Sequence, residues 1–258
     1  MNKLNIGIEA ALLAGDFLLE NYGKLHEIKN KESHRDVVTE IDKASENIVI
    51  ETIKRNDDIS SILAEETGVI NSESKNKWII DALDGTVNYI HSIPFFSISI
   101  SYWKDQEPKI GVIYNPYSKE LFYSESKKGS YCNQKKIFVS KSNLNNALTA
   151  MAFSGKAYNP SQRSKEFEIF SKLNDSSQGC LRTGSAAMNL ANLACGKFSF
   201  VLGKANKIWD VAAGLIIAKE AGAEVKFKIS DDTISVDYIC SSINKDVNTE
   251  IDLGYLDL

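Results

Sequence analysis

Two aspartates three residues apart, Asp81 and Asp84, follow the apolar run Trp78-Ile79-Ile80 and lead directly into Gly85 and Thr86. Upstream, Ile62-Leu63-Ala64 runs into Glu65 and Glu66, and far downstream Ile208-Trp209 precedes Asp210 at the head of an apolar stretch. Each acid alone has an ordinary explanation. Asp and Gly commonly close strands in turns, and an acid in the first turn of a helix favours the N-terminal dipole. If the fold gathers them, however, several partly buried like charges are unfavourable unless a cation compensates. Oxygen ligands with no His or Cys among them point to Mg²⁺ or Mn²⁺ rather than zinc.

The elements that must position these acids can be read from periodicity. Leu4, Ile8, Ala11, Leu12, Gly15, Leu18 and Tyr22 recur at helical spacing, and a second helix is expected from about Thr39 to Arg55. Short apolar runs at 61–64, 78–80, 95–103, 110–114, 121–124 and 137–139, with Phe96, Ile98 and Ile100 alternating, predict a largely antiparallel sheet. After about residue 142 strands and helices alternate. Strands are expected at 150–153, 198–202, 224–227 and 238–241, and helices at 162–173, 184–195 and 209–221. The pattern reads as an α+β half, residues 1–142, carrying the antiparallel sheet and the metal site, packed closely on an α/β half, residues 143–258.

The bulk composition narrows the function classes. A chain of 258 residues with 43% hydrophobic and 25% charged residues is ordinary globular protein. Its net charge of −4 argues against a nucleic-acid surface, and the pairs Lys127–Lys128 and Lys135–Lys136 are too short to form one. Four cysteines lie far apart with no C-x-x-C pair, which fits a reducing cytoplasm and neither zinc nor a disulfide framework. Glu9, Asp16 and Glu20 interrupt the first apolar stretch, so no signal peptide is read there, and no run is long enough to span a bilayer. A soluble, cytoplasmic protein is expected.

Five ordered segments resemble the inositol monophosphatase family. Trp78 to Pro94, with Asn88 and Tyr89 in place, is similar to the family's central Asp-Pro-x-Asp-Gly-Thr motif. Glu65-Glu66, the run Asp36-Val37-Val38-Thr39-Glu40-Ile41-Asp42, Leu181 to Ala187, and Trp209 to Gly214 resemble the other four. The resemblance implies a layered αβαβα sandwich of the inositol monophosphatase/fructose-1,6-bisphosphatase type and hydrolysis of a small phosphomonoester. It implies two or three Mg²⁺ ions, with Mn²⁺ able to replace them. One would be held by Glu65, Asp81 and the carbonyl of Leu83, a second by Asp81, Asp84 and Asp210. Two cations can hold the attacking water and the leaving oxygen on opposite sides of phosphorus. Asp42, Glu65 and Thr86 would orient or deprotonate that water. Gly85 and Thr86 would cradle phosphate, and Asp84, Gly184, Ser185 and Ala186 would border the substrate. Lys31 would sit near the phosphate. Lithium sensitivity and a homodimer are carried by the same analogy.

The chain departs from the family pattern in three places. Ala82 replaces the proline between the aspartates, and Leu181 stands where an arginine is usual. Gly203 occupies the position, seven residues before Asp210, where inositol-selective members place a glutamate that binds ring hydroxyls. Inositol monophosphate, sugar phosphates, adenosine 3′,5′-bisphosphate (a 3′(2′),5′-bisphosphate nucleotidase) and histidinol phosphate therefore all stay open as substrates. A haloacid dehalogenase reading of Asp81-to-Thr86 fails on spacing, since two residues rather than one separate the aspartates. A regulatory or binding module is the non-enzymatic alternative, because fold resemblance alone does not establish activity. His34 and His91 are expected to be structural or exposed rather than ligands, since Mg²⁺ prefers oxygen.

Overall fold

The structure, a computed structural model, describes residues 2–24, 28–33, 36–71, 73–154 and 160–243 and positions 254, 256 and 258. His34 falls outside the described residues, as does the side chain of Lys31. The first helix, α1 (Lys3–Asn21), is capped by Asn2, whose side chain accepts from the Asn5 amide at 2.8 Å. It buries a face of small residues: Ile6, Gly7, Ala10, Ala11, Ala14, Gly15 and Leu18. That face differs from the expected one, and Leu12 is exposed. Small residues win because the helix lies close on the sheet beneath it: a methyl at Gly15 would sit 2.5 Å from the Tyr114 ring.

A hairpin of β1 (Ile28–Ser33) and β2 (Asp36–Thr39) leads into α2 (Glu40–Asn56). Then follow β3 (Ser61–Ala64), β4 (Gly68–Ile70), β5 (Asn76–Asp84), the short α3 (Thr86–Ile90), β6 (Ser97–Lys104), β7 (Glu107–Asn115), β8 (Glu120–Glu125), β9 (Ser130–Cys132) and β10 (Lys135–Ile137). Strands β3 to β10 form one eight-stranded sheet in the order β10-β9-β8-β7-β6-β5-β3-β4. It is antiparallel, as expected, except where β3 runs parallel to β5. That exception matters for the site. Parallel neighbours end at the same edge, so Glu65 after β3 and Asp81 to Asp84 in β5 come out together.

The rest of the chain supplies β11 (Leu148–Ala152), α4 (Pro160–Ser176), β12 (Gly179–Leu181), α5 (Ala186–Ala194), β13 (Phe200–Lys207), α6 (Ile208–Glu220), β14 (Glu224–Ile229) and β15 (Ser235–Ser241). Its five strands form a mixed sheet ordered β12-β11-β13-β15-β14. Helices α1 and α2 cover one face of the large sheet. Helices α5 and α6 lie between the two sheets, and α4 covers the outer face of the small one. The expected αβαβα sandwich is therefore the observed architecture. Gly111 lets α6 approach β7: a methyl there would lie 2.5 Å from the Ala213 carbonyl oxygen. The central helices are apolar nearly all round, as helices covered on both faces must be. No helix among the described residues is long and apolar enough to cross a membrane.

Candidate metal centre

Carboxylate oxygens of Glu65, Asp81 and Asp210 lie within 4.8 Å of one another. Three separate elements bring them there. Glu65 follows β3 at the sheet edge, where the buried Glu46 of α2 accepts the amides of Glu66 and Thr67, both at 2.8 Å. Asp81 lies in β5, whose pairing with β6 shifts register between Asp81 and Asp84. Its Oδ1 accepts from the Leu83 amide at 2.9 Å. Asp210 sits in the first turn of α6 and accepts from the Lys207 amide at 3.3 Å. It is thus the first-turn acid that the sequence allowed and a member of the cluster as well.

Electrostatics show what this convergence costs without a cation. Burial pushes the Asp81 carboxyl well above the usual range, and Glu65, Asp84 and Asp210 push it the same way. Asp210 is likewise driven up, first by burial and then by Glu65 and Asp84. An all-oxygen group whose own charges oppose ionisation fits a hard divalent cation.

Asp84 is placed beside the three but is held differently. Its carboxylate accepts from Ser185 Oγ, from Ser97 Oγ at 3.2 Å, and from the Ala186 and Ala187 amides, each at 3.2 Å. Burial raises it to about 6, less than its depth alone would, because these four donors favour the charged form. Helix α5 starts at Ala186 rather than at the expected Gly184, since Ser185 caps it by accepting the Met188 amide at 3.1 Å. Ser185 and Ala186 therefore serve Asp84. Gly184 lies in the preceding loop at φ 88°, where a methyl would meet the Asn88 amide group at 3.0 Å. Asn88 in turn donates to the carbonyls of Phe95 (2.7 Å) and Thr183 (2.9 Å), tying the two halves of the site.

A second group adjoins the carboxylates. Thr86 Oγ1 lies 2.7 Å from Asp42 Oδ1 and 3.1 Å from the Leu83 carbonyl oxygen, one proton facing two acceptors. The other Asp42 oxygen accepts from Thr39 N at 2.8 Å and Thr39 Oγ1 at 2.6 Å, the reciprocal cap of α2. The carboxylate cannot turn, so Oδ1 stays on Thr86. Gly85, at φ 91°, begins α3, and a side chain there would be strained and meet the Phe95 carbonyl at 3.1 Å. Trp78 is fully buried and donates to Asp57 at 2.7 Å, while His91 is exposed.

Position 203 is closed to a glutamate. A methyl on Gly203 would lie 2.0 Å from Asn206 Oδ1 and 2.6 Å from Cε1 of Tyr238. Sequence reasoning missed Glu46, Ser97 and Tyr238. Glu46 reads as a routine helix acid, and Ser97 reaches Asp84 only through the β5–β6 pairing.

Known proteins share this sequence pattern and fold. A model of the inositol monophosphatase family matches residues 2–246. A fructose-1,6-bisphosphatase/inositol-1-monophosphatase of Thermotoga maritima is 32% identical over 231 residues, 87% of this chain and 84% of its own. The Nus factor SuhB of Haemophilus influenzae is 35% identical over 225 residues, covering 86% and 84%. The solved inositol monophosphatase of Anabaena (Nostoc) sp. PCC 7120 superposes with a TM-score of 0.78 at 34% identity, over 93% of this chain and 90% of that one. A match spanning nearly the whole sequence, with the same layers behind it, leads to one conclusion: the chain belongs to the inositol monophosphatase family, a family of phosphatases.

Proposed function

We propose that this chain is a Mg²⁺-dependent phosphomonoesterase that hydrolyses a small phosphorylated metabolite, an inositol monophosphate or a sugar phosphate. The observation that carries the reading is the convergence of Glu65, Asp81 and Asp210 beside the Thr86–Asp42 hydrogen bond. Glu65, Asp81, Asp84, Asp210 and the Leu83 carbonyl would hold the metal. When bound, Mg²⁺ supplies Lewis acidity toward the phosphoryl oxygens and lowers the pKa of water.

The remaining roles belong to the chain. Thr86 Oγ1 accepts a hydrogen bond from the attacking water while donating its own proton toward Asp42, so the pair orients water and draws its proton away. Fixed by Thr39, Asp42 holds that orientation without turning. Glu65 borders the same water. The amides of Gly85 and Thr86 donate to phosphoryl oxygens, and Gly184, Ser185 and Ala186 line the substrate side of Asp84. Lithium sensitivity, a homodimer and a cytoplasmic location belong to the same proposal.

Phosphate release at neutral pH from inositol 1-phosphate, fructose 1,6-bisphosphate, adenosine 3′,5′-bisphosphate and histidinol phosphate tests the reading. Mg²⁺-dependent release from the first or second is expected. Release from adenosine 3′,5′-bisphosphate or histidinol phosphate alone would replace the substrate class, and none from any would remove the enzyme reading. A binding role is the second reading, favoured by the relative named Nus factor SuhB. Absence of Mg²⁺ binding by calorimetry would shift weight to it.

A further inference from the structure

Helix α2 turns a polar face toward the carboxylates. Asp42, Ser45 and Glu46 lie on it at i, i+3 and i+4, all buried, and beyond them the buried positions Val49, Ile50 and Ile53 are apolar. Asp42 holds Thr86. Ser45 Oγ donates to the Ala82 carbonyl at 2.9 Å, while the N–H of the same peptide, from Leu83, donates to Asp81 at 2.9 Å. That peptide plane, flanked by Asp81 and the Leu83 carbonyl, is gripped at both ends.

Glu46 does the same for Glu65. Strands β3 and β4 pair as far as Ala64 and Gly68, leaving Glu65, Glu66 and Thr67 as the turn between them. The Glu65 amide donates to the Ile80 carbonyl at 3.3 Å, and the Glu66 and Thr67 amides donate to Glu46 Oε2 and Oε1, each at 2.8 Å. Glu65 is therefore held by the peptides on both sides of it, one tied to the residue before Asp81 and the other to α2. Closing a hairpin does not need this. Thr67 is exposed, so water could serve its amide, and carboxylates are rarely buried because losing hydration is costly. Glu46 is nevertheless only 1% exposed. Nor is it a spare ligand. Each of its oxygens already takes an amide, and the carboxylates close enough to share an ion, among the described residues, are Glu65, Asp81 and Asp210.

We infer that Glu46 is a positioning residue of the metal centre: it fixes the backbone from which the Glu65 carboxylate is aimed. The inference rests on the reading of Glu65 as a metal ligand and adds to it a residue that never touches the ion. The role needs a carboxylate. Two N–H groups require two acceptor oxygens, and glutamine offers one oxygen and an NH₂ whose protons face the second amide. Released at that amide, the turn can rotate about Glu65, and its carboxylate shifts. Mg²⁺ is the more sensitive to such a shift, because it demands near-ideal octahedral geometry whereas Ca²⁺ accepts irregular oxygen shells.

The test is calorimetric titration of the full chain, stripped of metal with EDTA and dialysed, with Mg²⁺ and separately with Ca²⁺. Glu46→Gln should weaken Mg²⁺ binding about 10- to 100-fold, the usual effect of losing a partner that orients a ligand, and weaken Ca²⁺ binding less. Ile53→Val thins the buried face of the same helix about 10 Å further along its axis. It should lower the melting temperature while leaving Mg²⁺ affinity within about twofold. If Glu46→Gln does not fold, Glu46→Asp, which keeps the charge but is too short to reach both amides, is read the same way. Unchanged Mg²⁺ affinity, equal losses for Mg²⁺ and Ca²⁺, or an equal loss in Ile53→Val overturns the inference and leaves Glu46 as an anchor of the hairpin. A wild-type chain that binds no Mg²⁺ overturns the metal reading beneath it, and so the two failures are distinguishable.

Discussion

Replacing Asp81 by asparagine should stabilise the metal-free protein while removing its activity. The carboxylate oxygens of Glu65, Asp81 and Asp210 lie within 4.8 Å of one another, and Asp81 is only 3% exposed. Two unit charges that far apart repel by about 3 kcal/mol at an effective dielectric of ~20. Proton uptake limits the penalty, because an acid of ordinary pKa 3.8 can be neutralised at pH 7 for about 4 kcal/mol. Asparagine has the same shape and keeps an oxygen for the Leu83 amide. The expected gain is therefore between about 1 and 4 kcal/mol, or a rise in Tm on the order of 5 °C for a chain of this size. The assay is scanning calorimetry at pH 7 in EDTA and again with excess Mg²⁺. Wild-type Tm should rise with Mg²⁺, since a ligand bound only to the folded state stabilises it, and that of Asp81→Asn should not. The pH profile carries its own sign. Acids with raised folded pKa bind more protons folded than unfolded, so metal-free wild-type stability falls as pH climbs from about 4 through about 6 and beyond. Asp81→Asn should flatten that fall. A lower Tm for the variant in EDTA, or an equal rise of both proteins with Mg²⁺, would refute the reasoning.

Three further outcomes follow from other contacts. Thr86→Ala removes the hydroxyl between Asp42 and the Leu83 carbonyl, and kcat should drop about 100-fold or more while Mg²⁺ affinity by calorimetry stays within a few-fold. Gly111→Ala should cost about 1–3 kcal/mol in urea unfolding, because the methyl meets the Ala213 carbonyl at 2.5 Å and must push α6 off β7. Burial raises the Asp57 carboxyl, but the Lys3 ammonium and the Trp78 indole N–H outweigh it and hold the group below 3.8. Its stabilisation is therefore present above about pH 4 and lost as pH falls through the lower folded value. Asp57→Asn should lower stability by about 1–3 kcal/mol at pH 7, a gap that narrows in acid unfolding below about pH 4.

Much of the fold was legible because its elements carry strong periodic patterns. Helix α2, β3 and the alternating β6 are found within a few residues of where apolar spacing puts them. The hairpin at 28–39 was not, since Lys, Asn, Glu, Ser and His there give no apolar alternation. Nor was the buried face of α1, because Gly and Ala carry little hydrophobic signal and are selected by closeness of approach to Tyr114. At the site, residue types and spacing left Glu65, Asp81 and Asp210 as separate acids, the family resemblance is what implied a shared role, and the parallel β3–β5 pairing is what joins the first two. The grip on Asp84 was hidden, since its donors lie 13 and 101 or more positions away. Gly203 stands in the sequence as a missing carboxylate, and only the cross-strand pairing shows that Tyr238 and Asn206 fill its place.

The most direct test of the account is phosphate release by protein stripped of metal with EDTA, dialysed, and titrated with Mg²⁺ on inositol 1-phosphate and fructose 1,6-bisphosphate. No turnover is expected before Mg²⁺, saturable recovery is expected with it, and no recovery is expected for Asp81→Asn or Asp210→Asn at any Mg²⁺ concentration. Turnover undiminished in EDTA, or recovered fully by either variant, would contradict the assignment of the carboxylate cluster as the metal centre of a phosphatase.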